Sequence, residues 1–594
     1  MNGTTIVALA LSAVASGVAL ADDVKTHVTR LASEEMEGRM TGTEGARKAA
    51  DYIIGELERL GVSTLPGQRS YRIPFEFTAG VRDTGSSVSI GEWSGARDSV
   101  RGLSFSETGD VEGEVVFAGY GITIPESQDF GYDSYFGLDV EDKIVLVLRY
   151  FPEDASPEVK SVLARYSGLR YKALNARERG AKGLLVVTGP SSPNAGELAG
   201  LSFDTAASGS GIVAASITDA VAERLFERVA DKTFAQAQTD LDSANPHVTG
   251  FDIPDVRVRL NVELERETGT GYNVAGYFPA NAGDALTDRM VLLGAHYDHL
   301  GQGREGNSLA GKDEAGQVHG GADDNASGVA AVLGAAARLK ERKRRSPVAF
   351  AFWSGEEMGL LGSSAFVSSK TIDPSALAAY VNFDMVGRMQ SNKLVLQAVG
   401  SSDVWPRLIE QTNVPVGFDV QMSDDPYLPT DSMSFNQAEV PSLNFFTGSH
   451  REYHRPADRV ELINFEDLER VVQFGALLTE KLANLDERPE FIKVARTTQE
   501  GGSRDSVRAF TGTIPDYATE VKGLRLSGVI EGGPAEEAGL RGGDVIVEFA
   551  GQTITNIYDY TYALDVVKVG EPIDVVYERD GERKKTTLTP RSRK

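Results

Sequence analysis

The chain has 594 residues, too many for one ordinary hydrophobic core, and its length predicts three or four domains. A formal charge of −26 argues against a nucleic-acid backbone or an anionic membrane as the main partner. Cysteine is absent, which excludes disulfides, thiolate metal sites and cysteine nucleophiles, so any transition metal must be held by His, Asp and Glu.

The N-terminus, MNGTTIVALALSAVASGVALADD, has an apolar run from Ile6 to Leu20, and Ala19-Leu20-Ala21 fits a cleavage site before Asp22. It reads as a secretory signal peptide over 1–21, although its first residues carry no Lys or Arg. Export without cysteines points to a bacterial periplasm or exterior. No later stretch is long enough to span a membrane. Next, Ala49, Ala50, Ile53, Ile54, Leu57 and Leu60 fall on one helical face, and Gly61 supplies a stop. From about residue 70 short alternating runs predict strands and turns.

Between 106 and 260, GEVVFAGYGI, KIVLVLRY, KGLLVVTG and GIVAASI read as buried strands. Helical stretches such as SVLARYSGLRYKALNARERG and DAVAERLFERVA lie among them. This segment resembles the protease-associated (PA) domain. From about 286, apolar runs alternate with amphipathic helices, which predicts a mixed, mostly parallel sheet sandwiched by helices. Residues 488–506 read as a linker. Over 507–594, GGPAEEAGLRGGDVI resembles a PDZ domain, a β-rich module.

Histidine is scarce, and five of the seven, His296, His299, His319, His450 and His454, lie in the βα region. His27 and His247 have no partners in sequence and read as surface residues. Candidate ligands end apolar strands or follow them: His296 in VLLGAH, Asp324 in GGADDNASG, Glu357 in VAFAFWSGE, Asp384 in YVNFD and His454 in SLNFFTGSHREYH. All but the last stand roughly 30 residues apart, one βα unit each. Such positions converge at the carboxyl ends of the strands. Three carboxylates and two imidazoles meeting there repel or protonate unless a cation is present. Zinc accepts this donor set, and two zincs sharing one carboxylate suit the count.

HYD, GADDNASG, SGEEMGLLGS, NFDMVG and YHRPAD, in this order, resemble the M28 family of zinc aminopeptidases. The match covers roughly 25–65 and 285–485 and implies the zinc exopeptidase fold. The resemblance implies that His296 and Asp384 bind one zinc, Glu357 and His454 the other, and that Asp324 bridges them. It also implies Asp298 as orienter of His296, Glu356 as general base and acid, and Tyr453 as oxyanion support. Asp323 reads as a turn or orienting acid, and His299, His319 and His450 as residues around the pocket. Arg388 could bind a substrate carboxylate or form a salt bridge.

These readings divide the chain into a signal peptide (1–21), the N-terminal part of the peptidase with lead-in strands (22–105), a PA domain (106–260), the catalytic domain (261–487), a linker (488–506) and a PDZ domain (507–594). The expected partners are peptides with a free N-terminus. A peptide C-terminus could join the PDZ domain beside Gly523, Leu524, Arg525 and Leu526, although Arg525 stands where many relatives have glycine. A carboxypeptidase or glutaminyl cyclase of the same fold, or an inactive peptide-binding scaffold, are the alternatives. Five retained ligands argue against the one-zinc cyclase, and intact Glu356 and Asp298 against the scaffold.

Overall fold

The computed structural model describes residues 23–124, 131–201, 211–245, 248–303, 308–310, 314, 316–494, 509–516, 521–554, 559–560, 563–564 and 567–592. The signal-peptide reading, residues 495–506 of the linker reading, and His247 lie outside the described residues. The chain forms two compact units, one holding residues up to 77 and 269–497, the other 78–268 and those from 521 on.

The first unit is organised by a sheet of nine described strands: β1 (Ser63–Thr64), β2 (Arg72–Asp83), β3 (Leu264–Phe278), β4 (Met290–His296), β5 (Val348–Trp353), β6 (Leu377–Phe383), β7 (Lys393–Gln397), β8 (Asp419–Met422) and β9 (Ser442–Phe446). Their order is β1-β3-β5-β4-β6-β9-β7-β8, with β2 on β3. The central strands β5, β4, β6 and β9 are parallel, as are β7 and β8. The pairings β1–β3, β3–β5 and β7–β9 are antiparallel. Every residue of β4, β5, β6 and β9 is buried, which is why these strands read as unbroken apolar runs rather than alternating ones.

The helices packed around this sheet include α1 (Glu44–Leu60), α2 (Gly328–Leu339), α3 (Leu361–Ser368), α4 (Asp431–Gln437) and α5 (Phe465–Ala483). Thr43 caps α1 by accepting the Ala46 N–H, and Gly61 ends it at φ 78°. Val329 and Leu333 of α2 and Val471 and Leu478 of α5 form one core layer with Leu293, Phe350, Val381 and Phe445 of the sheet. Close approach of α2 to α5 requires Gly334, where a Cβ would meet Val472 Cγ1 at 2.9 Å. A second layer joins Trp353 and Tyr380 to Phe366 of α3 and Phe435 of α4. Helices therefore cover both sides of the sheet and leave its strand ends to carry chemistry.

His27 departs from its sequence reading as a surface residue: it is buried, and its Nδ1 lies 2.7 Å from the Tyr52 hydroxyl. It sits on the same helical turns as Val24, Val28 and Leu31, which pack into the core.

The second unit contains an eight-stranded sheet whose centre is four parallel strands, Gly109–Phe117, Ile144–Leu148, Gly183–Val187 and Val213–Ile217. The stretch read as one helical segment over 161–180 is two helices, Pro157–Arg165 and Leu169–Glu178, broken at Gly168. The C-terminal region holds a six-stranded sheet. Among the described residues no helix is long and apolar enough to cross a membrane.

Candidate metal centre

His296 is the last residue of β4, Asp384 follows β6, and Glu356 and Glu357 follow β5 after the turn at Ser354 and Gly355. Because β5, β4 and β6 are adjacent and parallel, these side chains meet at one end of the sheet. Asp324 comes from the segment Ala322–Ser327 that leads into α2, and His454 from the loop after β9.

The Asp324 loop is stitched to the Asp384 loop by side chains rather than by strand pairing. Asn325 Nδ2 donates to Phe383 O, and its Oδ1 accepts from Met385 N. Ser327 Oγ accepts from Val386 N, and Asp323 Oδ1 accepts from Gly387 N at 2.6 Å. Asp458 fixes the loop from behind, its carboxylate accepting the N–H groups of Asp323 at 2.9 Å and Asp324 at 3.0 Å. Burial pushes Asp458 up to about 6, with His450 opposing and Asp323 adding to the rise.

Asp324 directs its two oxygens to different imidazoles. Oδ1 lies 3.3 Å from His296 Nε2, which is also 3.5 Å from Asp384 Oδ1. Oδ2 lies 3.3 Å from His454 Nε2, which is also 3.1 Å from Glu357 Oε2. The other Glu357 oxygen, Oε1, is 2.7 Å from His299 Nδ1. Among the described residues, two clusters are compact enough to hold a cation, His296/Asp324/Asp384 and His299/Asp324/Glu357.

Glu356 stands apart from both clusters. Its Oε2 is 4.0 Å from His296 Nε2, and its backbone N–H is held by Asp298 Oδ1 at 3.3 Å. The Asp298 carboxylate also accepts from Thr41 Oγ1 at 3.0 Å. The nearer partner of His296 Nδ1 is the Asp298 carbonyl, at 3.2 Å, with the carboxylate at 3.7 Å. Tyr453 stacks on the His454 ring, centroids 3.8 Å apart. Arg388 pairs with Glu452 at 3.1 Å. His450 Nε2 faces Asp323 Oδ2 at 3.2 Å.

The electrostatics state what the donor set lacks. Burial disfavours the charged form of His296, yet Glu356, Asp298, Asp324 and Asp384 push it well above the ordinary imidazole value. Burial likewise opposes His454, and Glu357 and Asp324 push it well up. Burial is also overcome at Asp324, held well down by His296, His299 and His454, and at Glu357, held down to about 2 by His454 and His299. Glu356 and Asp384 go the other way, driven up by burial and by neighbouring carboxylates against the pull of His296. Protons here do the work of missing positive charge. Buried N and O donors with surplus carboxylate fit divalent zinc.

Two contributors carried no sequence signal. Arg39, wholly buried, donates to the carbonyls of Tyr297, Leu31, Gly320 and Gly321. Asp431, at the start of α4, is buried and pushed up to about 7 by burial and by Asp384 and Asp298, with His296 opposing. Asp431 lies in the stretch DDPYLPTDSMSF, where neighbouring acids mask it.

The expected PDZ peptide position needs correction. Leu524–Val529 lies between Thr513–Pro515 and Val545–Phe549 and is hydrogen-bonded to both, so it is not a sheet edge. Leu524 and Leu526 point into the core, and a Cβ on Gly523 would meet Ile546 O at 2.7 Å. Among the described residues, Thr513–Pro515 ends the strand order on that side.

Residues 273–478 match the family model of peptidase family M28, 111–225 that of the PA domain and 525–579 that of a PDZ domain. An aminopeptidase of Pseudomonas aeruginosa (strain UCBPP-PA14) is 25% identical over 382 residues, 62% of this chain and 58% of that protein. Leucine aminopeptidase 2 of Trichophyton rubrum is 27% identical over 240 residues, 35% of this chain and 44% of that protein. The chain thus spans about half the length of these curated relatives. An aminopeptidase structure from Aneurinibacillus sp. strain AM-1 aligns with a TM-score of 0.48 at 20% identity, covering 81% of this chain and 96% of that one. This chain carries a peptidase family M28 domain, joined in one polypeptide to a PA domain and a PDZ domain.

Proposed function

We propose that the protein is an exported metallo-aminopeptidase that removes N-terminal residues from peptides with two zinc ions. The observation that carries this reading is Asp324, whose two oxygens face two separate imidazole–carboxylate sets. His296 and Asp384 with Asp324 Oδ1 would hold one ion, and Glu357 and His454 with Asp324 Oδ2 the other. Zinc in such a centre supplies Lewis acidity and lowers the pKa of water from about 15.7 to roughly 7.

The chain's own residues supply the rest. Glu356, next to the donor sets but in neither, takes the proton of the attacking water at its carboxylate and passes it to the leaving amine. Burial favours the protonated form of Glu356, which suits the donating half of that cycle. Asp298 keeps Glu356 in reach through its backbone N–H and, with its carbonyl on Nδ1, fixes the His296 ring. Tyr453, stacked on His454, supports the oxyanion that develops on the scissile carbonyl. The PDZ domain offers a further peptide-binding surface.

Purified protein with zinc should release nitroaniline from aminoacyl-nitroanilides. A chelator should stop the reaction and added zinc restore it. Turnover confined to N-blocked peptides with a free carboxyl end would reject the aminopeptidase reading.

A further inference from the structure

His299 belongs to the compact His299/Asp324/Glu357 cluster, yet neither of the two proposed zinc sets, which draw on His296 and His454, includes it. Its Nδ1 lies 2.7 Å from Glu357 Oε1 and 3.8 Å from Asp324 Oδ2. Its other nitrogen, Nε2, is buried and has no hydrogen-bond partner among the described residues. The ring is wedged against the backbone of Gly321, where a Cβ would meet His299 Cδ2 at 2.6 Å. Its edge or face meets the His454 ring, centroids 5.9 Å apart at 75°. The Gly321 backbone and the His454 ring thus flank it, with Nδ1 facing Glu357.

Two roles fit that position, and the unpartnered nitrogen separates them. As a metal ligand through Nδ1, His299 would carry its proton on Nε2 and bury an N–H with no acceptor. Ligating imidazoles almost always give that proton to a carbonyl or carboxylate, as His296 Nδ1 can to Asp298 O at 3.2 Å. With the proton on Nδ1 instead, Nε2 is an unpaired acceptor, which buried protein tolerates better than an orphaned donor. The same proton then bonds Glu357 Oε1, while Oε2 stays 3.1 Å from His454 Nε2.

We infer that His299 is a positioning residue: its Nδ1–H occupies Glu357 Oε1 and restricts Glu357 to binding the second zinc through Oε2 alone. This rests on the two-zinc reading of the site. A carboxylate limited to one oxygen leaves a coordination position open for substrate, as a catalytic site needs.

The test is zinc affinity, read by competition with a chromogenic chelator, together with the absorption spectrum of the cobalt-substituted protein. His299→Asn places an amide N–H where Nδ1 stands, His299→Gln reaches toward Nε2, and His299→Leu removes the donor. The inference expects two zincs in the wild type and in His299→Asn, with unchanged cobalt bands. It expects the second zinc to weaken about 10–100-fold in His299→Leu and His299→Gln. Should His299→Leu not fold, the Asn and Gln pair decides. Loss of the second zinc from His299→Asn would make His299 a ligand and overturn the inference. So would full affinity in His299→Gln. A folded wild type that binds fewer than two zincs would instead overturn the two-zinc reading itself.

Discussion

Arg39 provides the sharpest test of how the centre is held. Its guanidinium donates to Tyr297 O at 2.7 Å, Leu31 O at 2.6 Å, Gly320 O at 2.7 Å and Gly321 O at 3.0 Å. Tyr297 directly follows His296, and Gly320 and Gly321 lie just before Asp324, so one side chain ties two ligand-bearing segments together. Burial holds its pKa down to about 10, against the pull of Asp324, Asp298, Asp458 and Glu357, so it is still a cation at neutral pH. Arg39→Met strands the carbonyls of Tyr297, Leu31 and half-buried Gly320 at about 1–3 kcal/mol each, roughly 3–9 kcal/mol in all, while Gly321 O keeps the Ala326 N–H. Relief from burying a cation offsets part of that. A net loss of about 5 kcal/mol rivals the whole stability of an ordinary domain. At about 2–4 °C per kcal/mol for a unit of this size, calorimetry should show the melting transition fall by roughly 10–20 °C. Arg39→Lys keeps the charge but not the planar fork, and should recover only part of the loss. A Met variant melting within about 2 °C of wild type would refute the reasoning.

The same geometry sets further expectations. Glu356→Gln should lower kcat by about 10²–10⁴-fold while zinc content stays at the wild-type value, since Glu356 belongs to neither donor set. Loss of one zinc in that variant, read by elemental analysis, would exchange the roles of the two glutamates. His450, facing Asp323 and Glu452, is pushed from 6.5 up to about 9 against the effect of burial. Its folded pKa is raised, so its stabilisation is full below about pH 6.5 and is lost as the pH climbs through about 9. A shift of that size is worth roughly 3 kcal/mol. Denaturation curves of wild type and His450→Gln should therefore differ most at pH 6 and converge near pH 10; a constant gap would contradict the pairing.

The parts of this centre that were legible in the sequence are those where chemistry interrupts an apolar run. His296, Glu357 and Asp384 end or follow buried strands, and a parallel sheet brings strand ends together whatever the loops do. What stayed hidden depends on direction or on distant backbone. Glu356 and Glu357 are neighbours in sequence, and only their surroundings separate the one near His296 from the one between His299 and His454. Arg39 bonds to carbonyls more than 250 residues away, and a lone arginine in EGRMTG carries no sign of that. His27 looked solitary because its partner, Tyr52, lies on another helix. In the PDZ domain, the alternation of Leu524–Val529 reports which face is buried and is silent on which edge is already paired.

The central claim is that this centre trims peptides from the free amino end. The most direct measurement is mass spectrometry of an unblocked decapeptide incubated with the zinc-loaded protein, beside its N-acetylated twin. The account predicts a ladder shortened stepwise from the N-terminus and no reaction of the acetylated peptide. Shortening from the C-terminus, or equal cleavage of both peptides, would contradict it.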